Sequence, residues 1–265
     1  MPPRPQPDVA IILPSYNAEK TLPAAVQSLL QGAEPVHVLV VDDGSRIPVS
    51  QVLNPLPDNV EILRFEKNVG LISGLNAGLE HLLKAGFAFI GRMDSDDISL
   101  PNRLSTQKKA LLEHPDWLGC GGWANMVDES TGQTLYRFTG PTTPEDFNRG
   151  MFSNSMALHP TWLIRADAWR KIGSYSKEFP YAEDYEWLQR AIKCGKFVNI
   201  PEIILNYTLS SGGISRKKRH LQLAVRLKIQ WKYRNLKKMT CWKGLLKTLV
   251  LMILPMPLVE YLKKT

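Results

Sequence analysis

Cysteine is scarce and scattered. Cys120, Cys194 and Cys241 are the three in 265 residues, and no two form a CxxC pair. Neither a disulfide framework nor a structural zinc site is expected, and a reducing cytoplasm suits such a chain best. Long apolar runs are missing too. Residues 248–259 (TLVLMILPMPLV) make a run of 12, broken by Pro255 and Pro257, short of the roughly 20 residues that span a bilayer. The opening MPPRPQPD has four prolines in its first seven residues and no apolar stretch, so neither a signal peptide nor a membrane anchor is expected there. No GxGxxG follows the first apolar run and no GxxxxGK[ST] occurs, which removes the Rossmann dinucleotide and P-loop readings. What remains is ordinary globular composition, 44% hydrophobic and 22% charged, far from disorder, collagen or coiled coil.

Charge is unevenly spread. Residues 216–265 hold 14 Lys and Arg against a single acid, Glu260, whereas residues 1–215 hold 19 basic and 24 acidic residues. A mildly acidic body of residues 1–215 and a basic appendage of residues 216–265 are therefore expected. Like-charge blocks meet an anionic surface, either nucleic acid or acidic lipid, unless they form a plain solvated face.

Within the body, apolar runs alternate with helical periodicity. Residues 9–13 (VAIIL), 36–41 (VHVLVV), 60–65 (VEILRF) and 87–93 (FAFIGRM) read as strands. Leu22, Val26, Leu29 and Leu30 repeat as on a helix, with Asn17 as its expected cap, and residues 71–84 read as a second helix. Alternation of this kind predicts an α/β fold with a mainly parallel, right-handed βαβ sheet flanked by helices. Farther on, residues 104–112 suggest a helix, 118–123 and 162–165 strands, 128–144 a loop or hairpin, and 184–193 a helix ending near Gly195.

Polar clusters fall just after the first four strands: Pro14 to Asn17, Asp42 to Ser45, Asn68 and Gly70, and Asp94 to Asp97. In open α/β sheets ligands bind beyond the carboxyl ends of strands, at a topological switch point, so four loops are expected around one crevice. Asp94 and Asp96, two apart where a strand gives way to a turn, can face one hard divalent cation, Mg²⁺ or Mn²⁺, bound to a diphosphate. A bare acidic turn is the alternative. Asp42 or Asp43 can accept hydrogen bonds from a base or ribose while Gly44 lets the backbone approach closely; a simple Asp-Gly turn is the competing reading. Glu183 and Asp184 open a helix, where acids also stabilise the macrodipole without catalysing anything. His159 reads first as a satisfied structural histidine, and Trp123, Trp162, Trp169 and Trp187 mostly as core. Arg92 reads equally as a phosphate contact or as a partner of the aspartates.

PSYN at 14–17, VVDDGS at 40–45, NVGLISGLNAGL at 68–79, MDSDD at 93–97 and AEDYEWL at 182–188 together resemble the family 2 glycosyltransferases of GT-A fold, over roughly residues 8–210. The resemblance implies an inverting transfer of sugar from a nucleotide donor, commonly a UDP-sugar, to an acceptor hydroxyl. It implies that Pro14, Tyr16, Asp42, Asp43, Asn68, Gly70, Asn76, Asp94 and Ser95 line the nucleotide-sugar site. Asp94 and Asp96 would hold the divalent metal and Asp184 would be the general base. Gln189 to Lys193 does not reproduce the QxxRW motif of the family's processive synthases, which favours one sugar added per acceptor, in cell-surface polysaccharide synthesis.

The basic stretch mixes Leu221, Leu223, Val225, Leu227 and Ile229 with Arg and Lys, followed by Trp231, Tyr233 and Trp242. Amphipathic helices on the anionic inner face of the cell membrane are expected, bringing the crevice to a glycan or lipid-linked acceptor. Two other functions stand beside this one: a sugar nucleotidyltransferase, which lacks the expected Gly-rich triphosphate loop, and a nucleic-acid binder acting through the basic stretch.

Overall fold

The computed structural model describes residues 7–210, 218–234 and 239–254. Its first half is the expected alternation: β1 (Val9–Ser15), α1 (Leu22–Leu30), β2 (Val36–Asp42), the short α2 (Val49–Val52), β3 (Val60–Arg64), α3 (Leu71–Ala85) and β4 (Phe89–Arg92). The strands run parallel in the order β3-β2-β1-β4. Val9 to Leu13 and Val38 to Val41 are almost wholly buried, because helices cover both faces of these strands and each alternate side chain finds a core. Sequence order reverses direction between β1 and β4, so the carboxyl ends of those two strands flank a switch-point crevice.

The second half continues the sheet with mixed directions. The chain runs through β5 (Ile98–Ser99), α4 (Arg103–Glu113), β6 (Trp117–Asp128), β7 (Thr134–Phe138), α5 (Pro144–Gly150), β8 (Leu163–Arg165), α6 (Ala166–Ile172), α7 (Glu183–Ala191) and β9 (Lys196–Leu209). β8 pairs antiparallel with β4, β6 antiparallel with β8, β9 parallel with β6, and β5 antiparallel with β9. β7 folds back on β6 as the expected hairpin.

Two local expectations change, and one strand was not foreseen. Asn17 does not cap α1, which begins five residues later. It takes a left-handed φ of 53°, its N–H donates to Ser45 Oγ at 3.0 Å and its Oδ1 accepts from the Arg46 N–H at 2.9 Å. It therefore ties the first crevice loop to the second. β6 runs past the expected 123 to Asp128 because both its neighbours, β7 and β9, continue to pair there. β9, 14 residues long, has no strand signature in the sequence: Pro201 and Glu202 interrupt its apolar pattern where the register with β6 shifts.

Beyond residue 218 lie α8 (Arg219–Tyr233) and α9 (Met239–Ile253). The inner side of α8 packs on the body. Ile229 is fully buried in the same cluster as Trp187 and Leu188 of α7, Tyr233 donates to Glu186 at 2.6 Å, and Gln230 donates to the Phe152 carbonyl at 2.7 Å. Among the described residues, no helix is long and apolar enough to cross a membrane. Glu260, Pro255, Pro257, Lys263 and Lys264 lie outside the described residues.

Candidate active site

The two acids that end β2 divide their work. Asp42 is fully buried, and its carboxylate accepts from the N–H groups of Ser45 (2.9 Å) and Val49 (3.1 Å) and pairs with Arg64. Burial alone would raise its pKa, but these donors outweigh it and hold the carboxyl below the usual range. Asp42 is thus fixed in the scaffold of the loop. Asp43 turns the other way, accepting from the N–H of Val69 at 2.6 Å and of Gly70 at 3.0 Å. It caps the amino end of α3, where a carboxylate meets unpaired donors and the positive end of the helix dipole. Asn68 and Gly70, expected at the donor, sit in the loop that Asp43 gathers in.

Gly44, the residue after Asp43, has φ +72°, and a Cβ there would lie 2.6 Å from the Lys67 carbonyl carbon. Glycine is required both by backbone angle and by close approach of the two loops. Pro14 lies within β1 opposite Val41, while Tyr16 just beyond is 53% exposed, leaving an aromatic face open at the crevice rim.

At the end of β4, Arg92 is almost fully buried and its Nη2 donates to Asp94 Oδ1. Asp96 is pushed up to about 6, first by burial and then by the neighbouring charge of Asp94. Asp97 is also held well above its usual range by burial and by Asp94. Its Oδ1 accepts from the Thr208 N–H of β9 at 2.8 Å, and its Oδ2 has no hydrogen-bond partner. Asp97 therefore anchors the turn to the sheet. Asp94 is held by Arg92 instead, and Asp96 is the third acid of the cluster.

Those two side chains fit a divalent cation. Both offer hard oxygens, and the charge of Asp94 adds to burial in raising Asp96, a repulsion that a bound cation would relieve. Among the described residues no group of three or more His, Cys, Asp or Glu gathers for a metal. Two carboxylates suit Mg²⁺ or Mn²⁺, which keep positions for water and phosphate oxygens.

The other wall comes from the segment leading into α7. His159 is buried, bonds the Tyr175 hydroxyl at 2.7 Å and tilts against Trp162 at 4.6 Å between ring centroids. Burial keeps its pKa well below the usual value, with Arg92 adding to the effect; it is the satisfied structural histidine expected. Asn76, expected at the nucleotide sugar, uses its amide on the main chain of Tyr175 instead. Trp162, Trp169 and Trp187 form a buried cluster of mutually tilted rings, as core residues should.

Glu183 and Asp184 open α7. Glu183 is pushed up to about 7 by burial first and Asp184 second, with Arg92 and Asp94 also acting on it. Asp184 accepts from the Tyr185 N–H at 2.7 Å and is raised by burial, against which Arg92 pulls it down. Arg92 therefore lies within electrostatic reach of both the aspartates after β4 and the acids that open α7. Sequence reading missed Arg64 on Asp42, Thr208 on Asp97, and Arg103. The last is fully buried on α4, where it donates to the carbonyls of Arg92 (2.9 Å) and Pro160 (2.7 Å). Its only signal was an arginine at a position that helical spacing places with Gln107 and Leu111 on the buried side.

Known proteins share this arrangement of chain. S. aureus TarS 1–349 in complex with UDP-GlcNAc superposes with a TM-score of 0.66 at 20% identity, covering 91% of this chain and 71% of that one. The mannosyltransferase PcManGT from Pyrobaculum calidifontis, in complex with GDP-Man and Mn²⁺, gives a TM-score of 0.66 at 16% identity over 93% of this chain and 70% of that one. The fold is GT-A-like. In sequence, the chain is 27% identical over 236 residues to an uncharacterised glycosyltransferase of Haemophilus influenzae, 84% of this chain and 72% of the relative. It is 29% identical over 221 residues to the amylovoran biosynthesis glycosyltransferase AmsE of Erwinia amylovora, 79% of each. Residues 10–173, which hold the β1, β2 and β4 loops, match the family model described as glycosyl transferase family 2, and the chain belongs to that family.

Proposed function

We propose that this protein is an inverting, metal-dependent glycosyltransferase. It moves one sugar from a UDP-sugar to a hydroxyl of a glycan or lipid-linked acceptor in cell-surface polysaccharide synthesis. The observation that carries this reading is Arg92, which pairs with Asp94 and acts on Glu183 and Asp184; it supports reading Asp94 and Asp96 as a cation-binding pair that serves the same reaction as a base at Asp184. The solved structures in complex with UDP-GlcNAc, and with GDP-Man and Mn²⁺, support a nucleotide-sugar donor and a divalent cation. The relative named for amylovoran biosynthesis supports a polysaccharide product.

A sugar hydroxyl is a weak nucleophile, and Asp184 takes its proton as it attacks the anomeric carbon. Asp94 and Asp96 would hold the divalent cation, which when bound neutralises charge gathering on the leaving diphosphate. Tyr16 and the loop capped by Asp43 border the nucleoside end, and the segment 175–184 borders the acceptor end.

The outer faces of α8 and α9 support a peripheral position on the cytoplasmic face of the membrane. Trp231, Trp242, Leu246, Leu249, Val250 and Ile253 are all exposed, beside the excess of Lys and Arg after residue 215. Such a surface buries apolar side chains in the interface while its cations meet acidic headgroups.

Release of UDP from a panel of UDP-sugars with Mn²⁺, with and without membrane extract, tests the reading. Asp184→Asn is expected to cut acceptor-dependent release by about 10²- to 10⁴-fold and Asp96→Ala to abolish it. Full activity in Asp184→Asn would remove the base, and full activity in Asp96→Ala would remove the metal ligand.

A further inference from the structure

Arg92 closes β4 with its main chain pinned: its N–H donates to the Trp162 carbonyl at 3.3 Å and its own carbonyl accepts from Arg103. Only the guanidinium has room to choose partners. One of its groups, Nη2, is on Asp94, whereas its Nε is buried without a hydrogen-bond partner. The groups that act on it come from two parts of the chain, Asp94 and Asp97 after β4, and Tyr175 and Glu183 in the segment that leads into α7.

We propose that Arg92 is the crevice's own counter-cation, holding Asp94 until a divalent cation arrives together with a diphosphate. The inference rests on the reading of Asp94 and Asp96 as metal ligands and adds a regulation of that site. A metal ion entering alone must take Asp94 from a charge-assisted hydrogen bond and strand a buried guanidinium, an outcome far costlier than removing an exposed charge. A diphosphate entering with the metal supplies the anion that the released guanidinium then faces. Metal binding is therefore weak alone and strong with nucleotide, and by linkage the nucleotide gains equally from the metal. Arg92 acts through Asp94 and is a positioning residue.

Mn²⁺ affinity, read by loss of the free-ion EPR signal with and without UDP, tests this on the full chain. Arg92→Gln is expected to bind Mn²⁺ on the order of tenfold more tightly than wild type without UDP, and to lose a similar part of the gain that UDP confers. Arg92→Lys, a gentler change for folding, is expected to shift the same way by less. Affinity unchanged or weakened in the folded variants, with the UDP-dependent gain intact, would overturn the proposal. Asp96→Asn separates the two levels. If it binds Mn²⁺ as wild type does, the metal assignment itself falls; if it loses Mn²⁺ and the Arg92 variants do not tighten, only the role of Arg92 falls.

Discussion

The side-chain amide of Asn76 grips the main chain of Tyr175 from both sides, its Oδ1 accepting from the Tyr175 N–H at 2.9 Å and its Nδ2 donating to the Tyr175 carbonyl at 2.9 Å. The residues are 99 apart in sequence. The clamp fixes α3, which begins at the Asp43 cap, to the segment whose phenol meets His159 and which leads into α7. Asn76→Ala leaves two backbone groups without their partner and is expected to cost about 1–3 kcal/mol. Chemical denaturation measures the loss. A neutral result would mean that the Tyr175 segment is held mainly by its aromatic contacts.

Glu183 gives a pH dependence whose sign is set by burial. Its pKa is pushed up to about 7 from an ordinary 4.5, so between these values the folded chain keeps a proton that the unfolded chain has released. Stability is thus greatest below the ordinary value and falls as pH rises through about 7, by at most about 3 kcal/mol. Urea midpoints from pH 4.5 to 8 are expected to fall less steeply in Glu183→Gln than in wild type. Equal slopes would remove Glu183 as the source. Burial also raises Asp184, and the acid limb of the kcat/KM profile is expected above the range of a solvated aspartate.

Gly44 is the strictest backbone position of the crevice. Its left-handed φ of +72° strains any L side chain, and an added Cβ would meet backbone atoms of Lys67 and Asn68 inside 3.0 Å. Gly44→Ala is expected to destabilise by about 1–3 kcal/mol and to push apart the Asp43 and Asn68 loops. UDP affinity by calorimetry should fall more than stability alone explains. Unchanged affinity would place the nucleoside elsewhere.

The parallel half of the sheet was legible because its strands are buried on both faces, so each prints an unbroken β-branched run, and its polar loops follow at strand ends. β9 was not, since Pro201 and Glu202 break its apolar period where its register with β6 shifts. Asp94 and Asp96 stand out as candidates by type and spacing, and Asp184 only through the family resemblance. The difference between Asp42 and Asp43 could not: adjacent residues of one kind are separated only by which donors the fold brings to each, Arg64 and Val49 for one and the amino end of α3 for the other. Asn76 shows the same limit, because an amide is chemically as suited to a ligand as to a strand of main chain.

The basic stretch divides into an inner face packed on the body and an outer face exposed to solvent, and the proposed membrane contact falls to the outer one. On α9, Cys241, Gly244 and Thr248 are buried while Trp242, Leu246 and Leu249 are exposed; with Leu227 and Trp231 of α8 the latter line an apolar groove of about 590 Å³. Exposed side chains can be changed without opening the core, whereas ending the chain at residue 215 would strip Ile229 and Gln230 from α7 and Phe152. The triple change Trp242→Ser, Leu246→Ser, Leu249→Ser is therefore expected to leave the melting temperature and donor hydrolysis near wild type. Each side chain contributes about 1–2 kcal/mol when half-exposed apolar surface is buried, so affinity for phosphatidylglycerol vesicles should drop on the order of a hundredfold or more. Binding that survives the triple change but vanishes in high salt would instead assign the interaction to the cations alone, and binding absent from wild type would remove the membrane from the proposed function.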